Sequence, residues 1–186
     1  MEEYKRTNPL FSLCGLNCGL CPRYNTQGAS KCPGCGGTDF HLKHPSCAVI
    51  TCSKKHGQVE YCYQCSAYPC ERYSRMGEKD SFMSYRNVLS DFDKAKSGGA
   101  EKYTTELTEK IDILDFLINT YNDGRRKAFY CNAVNLLPLA DLREIMDIIK
   151  ERIAGYDIPL KEKIEEIVRL MEERAASHNI QLKLRT

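Results

Sequence analysis

Hydrophobic positions keep a helical rhythm through the later part of the chain and almost none before it. Leu107, Ile111, Leu114, Ile118 and Tyr121 recur at steps of three and four, which puts them on one face of an α-helix. Gly124 follows as a candidate C′ residue for that helix. Leu139, Leu142, Ile145, Met146, Ile149 and Ile153 form a second stripe, with Pro138 near its start and Gly155 at its end. Leu160, Ile164, Ile167, Val168 and Met171 form a third, entered through Pro159, and its outer face pairs Glu165 with Arg169 at i,i+4. Phe82, Tyr85, Val88, Leu89 and Phe92 predict one more helix, ending before Ser97-Gly98-Gly99. The segment Asn122 to Lys127 ends one helix and begins another, whose buried face would hold Phe129, Tyr130, Ala133, Val134 and Leu137. The tail Gln181-Leu182-Lys183-Leu184-Arg185 alternates, as a short strand does. All the long stripes read as core faces.

Composition changes near residue 75 and divides the chain. Residues 1–75 are rich in Cys, Gly, Pro and Tyr and poor in apolar runs, so bound metal would have to replace much of a hydrophobic core. Residues 76–186 are the helical region, with Cys131 as their one cysteine, placed to be a small core residue. The expected fold is a small irregular, metal-stabilised Cys-rich module packed on an all-α helical bundle of about four or five helices.

Ten of the eleven cysteines lie between Cys14 and Cys70, and their spacing carries the chemistry. Cys14, Cys18, Cys21, Cys32 and Cys35 make C-x3-C-x2-C-x10-C-x2-C. Two C-x2-C units can surround one ion, because each folds into a turn that presents two sulfurs on one side. In the second unit Pro33 fixes φ, and Gly36 and Gly37 let the backbone curl so that N–H groups can face thiolates. A later group reads Cys47-x4-Cys52-x9-Cys62-x2-Cys65-x4-Cys70. Cys18, Cys21, Cys32 and Cys35 make the simplest first site. Cys47, Cys52, Cys62 and Cys65 make the simplest second one, which leaves Cys14 and Cys70 over. His44 is a further candidate ligand, whereas His41 and His56 read as surface histidines. The candidates exceed what two zinc ions need, so a third ion, buried thiols or another metal would account for the rest.

Compartment decides between metal and disulfides. Met1 to Pro9 shows no apolar h-region before the first cysteine, and no stretch approaches the roughly 20 apolar residues of a membrane span. A reducing cytoplasm is therefore the expected setting, with thiolate ligation rather than bridges. The balance of 27 Lys+Arg against 25 Asp+Glu excludes a generally basic protein. Residues 1–80 carry a formal +3, but two zinc ions on eight thiolates would move that to −1.

Iron–sulfur ligation is the rival chemistry. C-x3-C-x2-C is also the spacing of the radical S-adenosylmethionine triad, yet that barrel takes about 250 residues of alternating strands and helices. An iron–sulfur electron carrier is the nearer alternative, because Cys21-Pro22 matches the ending of bacterial cluster runs. The paired C-x2-C turns suit separate tetrahedral ions better, so two or more zinc ions are expected.

Cys14-Gly-Leu-Asn-Cys18-Gly-Leu-Cys21-Pro22, Cys32-Pro-Gly-Cys35, Cys47 to Cys52 and Cys62-Tyr-Gln-Cys65-Ser-Ala-Tyr-Pro-Cys70 together resemble the bacterial and archaeal family called domain of unknown function 3795. The resemblance covers residues 14–73, and Tyr121 to Cys131 followed by Leu136-Leu137-Pro138 is similar to a downstream part of some members. It implies metal binding and supplies no activity. His44 stands where the family pattern implies another cysteine, which strengthens it as a ligand.

Arg125, Arg126 and Lys127 put three cations at a helix start, where the macrodipole favours acids. A small bound anion would explain them, and solvated charges are the plainer account. No phosphate loop, H-E-x-x-H or G-x-S-x-G elbow is present, so no catalytic residue is proposed and enzymatic activity is left open. Tyr61, Tyr63, Tyr68 and Tyr73 interleave with Lys54, Lys55, Arg72 and Arg75 as a single-stranded nucleic-acid surface would, but no RNA-binding signature accompanies them. The expected role is structural or interaction-mediating zinc binding with an unknown protein partner, and with neither nucleic acid nor membrane.

Overall fold

Prolines, glycines and buried turns decide where the helical stripes stop. The computed structural model describes residues 4–44, 46–74, 76 and 78–186, so Arg75 and the expected division beside it lie outside the described residues. Three short helices come first: α1 (Phe40–Lys43), α2 (Ala48–Lys55) and α3 (Glu71–Ser74). The long ones are α4 (Val88–Gly98), α5 (Ala100–Thr120), α6 (Lys127–Leu136), α7 (Leu139–Ile148) and α8 (Leu160–Ser177). A π-turn, Ile149–Ile153, extends α7 and is closed by the Ala154 N–H on the Ile149 carbonyl at 2.8 Å. Among the described residues the only β-pairing is an isolated antiparallel bridge between Phe11 and Asn17. No helix among them is long and apolar enough to cross a membrane.

Helix α5 is the hub, packing against α4, α6 and α7 and against a 3-10 turn at Cys18–Leu20. Its buried stripe is Tyr103, Leu107, Lys110, Leu114 and Leu117, whereas Ile111 and Ile118 are half-buried. The periodicity averaged two covered faces. Ile111 lies against the cysteine turn, where a Cβ on Gly19 would stand 2.3 Å from Ile111 Cδ1, so any larger residue there would displace the Ile111 side chain. Phe11, Leu20, Tyr61 and Tyr73 share one core with Phe92, Leu107, Leu142 and Ile167. A small second cluster holds Leu13, Cys35, Phe40 and Ile50.

Aromatic rings gather around Phe92. Phe11, Tyr63, Tyr68 and Tyr73 stand 5.7, 5.1, 5.7 and 6.0 Å from it, and Tyr61 stacks on Tyr63 at 5.4 Å. The tyrosines that sequence spacing offered as a nucleic-acid platform are thus committed to packing, with Tyr61 and Tyr73 buried.

Three expectations need correction. Gly124 is not the C′ residue of α5, which ends on Tyr121; the Tyr130 hydroxyl donates to the Tyr121 carbonyl at 2.8 Å and fixes that end. Phe82 and Tyr85 are not helical, because Asp80 accepts hydrogen bonds from the Ser84 hydroxyl and the Tyr85 N–H and holds a turn before α4. The tail forms no strand, since no extended neighbour offers it a ladder. Side chains hold it instead: Arg86 donates to the Gln181 and Lys183 carbonyls, and Asn132 to that of Leu182.

Asp80 also binds the tail. It takes the Arg185 N–H at 2.8 Å and the Arg185 guanidinium at 2.8 Å, with Arg86 nearby at 3.9 Å. Burial pushes its carboxyl up, but hydrogen bonds from Arg185 and Tyr85 outweigh that and hold it well below the usual range. A depressed acid stabilises the fold above the ordinary carboxylate pKa of about 3.9 and loses that contribution as pH falls through its folded value. Asp80→Asn is therefore expected to free residues 180–186 already at neutral pH. Hydrogen exchange checks this: equal protection of the tail in both proteins at pH 7 would overturn it.

Candidate metal centre

Two of the three C-x2-C units fold alike. In each a 3-10 turn brings the second cysteine's N–H to the first one's carbonyl, Cys21 to Cys18 and Cys65 to Cys62, both at 3.0 Å. The chain then leaves in extended conformation, with ψ of 136° at Cys21 and 138° at Cys65. Gln64 steadies the later turn by accepting the Tyr61 N–H at 3.0 Å. The Cys32–Cys35 unit is tied to its neighbours instead: Cys32 N–H donates to Arg23 at 3.0 Å and Cys35 N–H to Pro9 at 2.8 Å. Gly36, at φ 72°, lets Arg6 lie against this unit, since a Cβ there would fall 2.7 Å from Arg6 Cγ.

Sulfur surroundings follow from these turns. Ionised Cys18 would be opposed by Cys35, Cys14 and Cys21, and Cys21 has Cys32 beside it, so the first expected quartet lies in one neighbourhood with Cys14. Cys47 neighbours Cys14 and Tyr4, while Cys62 neighbours Cys14, Cys70 and Cys52. All eleven cysteines are unpaired. Among the described residues no three His, Cys, Asp or Glu side chains already converge on a metal-sized point.

Cys32 and Cys35 are buried and the other candidate cysteines are half-buried. Desolvation raises Cys14, Cys18 and Cys21 above the ordinary thiol value and pushes Cys35 and Cys62 up to about 11. Hydrogen bonding from the backbone of Leu16, of Arg23 and Tyr24, and of Leu13 works against that rise at Cys14, Cys21 and Cys35 respectively. The Ser12 hydroxyl lies 3.2 Å from Cys14 Sγ, and the Tyr73 hydroxyl donates to the Cys14 carbonyl at 3.3 Å. Arg6, its side chain 1 % exposed, donates to the Phe11 and Glu60 carbonyls at 2.7 Å each and pairs with the Glu60 carboxylate at 3.0 Å. Its buried Nε has no partner, and the Cys35 thiol is its neighbour.

His44 stacks on Phe40 at 4.6 Å and 19°. His56 is a surface residue as expected, and its Nδ1 lies 2.9 Å from the Cys52 carbonyl and 3.6 Å from Cys52 Sγ. The missed signal was Cys52-x3-His56, a four-residue step at the end of a helix. Arg6 carried no such signal. Neither did Asn17, whose Nδ2 donates to Asp91 and Asn135 at 3.0 Å each and whose Oδ1 accepts the Tyr103 hydroxyl at 2.9 Å. That buried cluster ties the first cysteine turn to α4, α5 and α6.

The cationic turn is shared out. Lys127 donates to Thr26 at 3.0 Å, Arg125 is exposed, and Arg126 keeps a buried, unpartnered Nε. Asn122 accepts the Gly124 and Arg126 N–H groups and Asp123 accepts that of Arg125, so side-chain oxygens already serve this helix start. Cys131 is fully buried in the core, and burial pushes its thiol up to about 12.

No curated protein and no solved structure matches the chain. The family match stops at residue 75 and so leaves out the downstream likeness at 121–138. Residues 10–75, with ten of the eleven cysteines, match the family model described as Protein of unknown function (DUF3795), the family that the cysteine order resembles.

Proposed function

We propose that residues 10–75 bind two or more zinc ions and serve a structural or interaction-mediating role in a reducing cytoplasm. One observation carries this reading: N–H and O–H donors are built around sulfurs that burial keeps protonated. A neutral thiol is a weak acceptor, so such donors gain little until the sulfur is a thiolate. A buried thiolate needs a cation, and a metal ion supplies it while releasing the proton. The unpartnered Arg6 Nε beside Cys35 has the same logic, since a metal-bound thiolate would accept its hydrogen. Apolar side chains buried between Leu20 and Tyr61 are few, Phe40 and Ile50 besides Cys32 and Cys35, so hydrophobic burial alone supports this stretch poorly.

The test is metal analysis of anaerobically purified protein with its absorption spectrum. Two zinc equivalents and no visible bands are expected, with about one equivalent lost in Cys35→Ser, because that site would keep three ligands of four. Iron with sulfide and visible bands would replace this reading with the electron-transfer alternative. Protein that takes up neither metal would overturn it.

A further inference from the structure

The later cysteines do not gather as their order along the chain suggests. Cys52, Cys62, Cys65, Cys70 and His56 all wall one cavity of about 30 Å³. That is small for a side chain and above the ~10–15 Å³ that a single water-sized occupant needs. An outer hollow opens beside it, and its walls repeat Cys52, His56, Cys65 and Cys70. Cys62 belongs to the inner wall alone, with Tyr73 beside it. Cys47 lines neither space. It precedes α2 and packs toward Leu13 and Phe40 in the small cluster.

His56 is prepared for a metal. A carbonyl oxygen can only accept, so the 2.9 Å contact with the Cys52 carbonyl places the ring hydrogen on Nδ1. Nε2 is then left with its lone pair, the arrangement of histidine ligands whose other nitrogen is held by a backbone carbonyl. Cys52 and His56, four apart at the end of α2, are spaced as paired ligands on a zinc-finger helix are.

We infer that Cys52, His56, Cys65 and Cys70 form a three-sulfur, one-nitrogen metal site, with Cys47, His44 and Cys62 outside it. The inference rests on the proposal that residues 10–75 bind metal, and it replaces the second quartet expected from spacing alone. All four residues line both hollows, and metal binding would draw their side chains together.

Cobalt(II) is the probe, added anaerobically to the metal-free full chain, because its d–d spectrum separates three-sulfur from four-sulfur tetrahedral sites. Wild type is expected to bind two equivalents, one of them with the three-sulfur, one-nitrogen pattern. His56 is exposed, so His56→Gln should fold, with circular dichroism as the check. It is expected to remove that pattern and weaken the equivalent by at least ~10–100-fold, the loss typical of disturbing even an outer-shell partner. His56→Cys should convert the pattern to a four-sulfur one, and Cys47→Ser should change neither count nor spectrum. Two equivalents with an unchanged spectrum in His56→Gln, or loss of one in Cys47→Ser, would overturn this ligand set and leave metal binding standing. Wild type that binds no cobalt would overturn both.

Discussion

Stripping the metal from anaerobically purified protein is expected to unfold residues 10–75 while most of the helix signal survives. A structural zinc contributes roughly 10–16 kcal/mol of apparent folding free energy in small domains, as much as the whole margin of a typical protein. The long helices α4 to α8 lie outside that segment, so far-ultraviolet circular dichroism should fall only modestly. Near-ultraviolet dichroism should collapse, because Tyr61, Tyr63, Tyr68 and Tyr73 lose their fixed packing around Phe92. Phe92 and its neighbours on α4 then face water, and a dye that binds apolar surface should brighten. Re-addition of zinc under reducing conditions should reverse all three signals. Unchanged tyrosine dichroism after complete metal removal would sink the idea that ligation holds this segment together.

How much of this was legible in sequence depends on what kind of force fixed each part. The stripes Leu139 to Ile153 and Leu160 to Met171 became α7 with its π-turn and α8, because an apolar face and a leading proline specify a helix locally. The two 3-10 cysteine turns were legible for the same reason, since C-x2-C is a local geometry. What failed was long-range. Ile111 and Lys110 exchanged roles because α5 is covered on two sides, and periodicity cannot say which neighbour lies where. Asp80 and Arg86 hold a tail about 100 residues away, so an alternating pattern resembled a strand while side chains did the binding. His56 was discounted as a lone histidine, and only the closeness of Cys65 and Cys70 gave it company. The match over residues 10–75 agrees with the cysteine order, the part of the chain most constrained by spacing.

Replacing Lys110 with methionine should cost about 1–3 kcal/mol, because two buried carbonyls lose their donor and the buried Asp91 carboxyl loses the cation that most favours its charge. Lys110 is 6 % exposed and Asp91 4 %. Lys110 Nζ donates to the Asn135 and Leu137 carbonyls at 3.3 and 2.7 Å. Burial lowers the lysine to about 8, with Asp91 as the main charge opposing that, and burial raises the Asp91 carboxyl against the pull of Lys110. Methionine keeps the stem's packing and removes the charge, so Asp91 would keep the Asn17 amide at 3.0 Å and the weaker pull of Lys94. The sign with pH follows. An acid whose folded pKa is raised costs stability above that value, and the cost fades as pH falls toward about 3.9, where the unfolded carboxyl is protonated too. The defect of Lys110→Met should therefore be largest near neutral pH and shrink on acidification. Asp91→Asn on top of it should recover part of the loss, since asparagine can accept from Asn17 without a charge to bury. Denaturant melts of both single variants and the double one, at two pH values, measure the coupling. A defect that ignores pH, or a double variant no better than Lys110→Met alone, would mean that the lysine acts through its carbonyl hydrogen bonds and that Asp91 is not its partner.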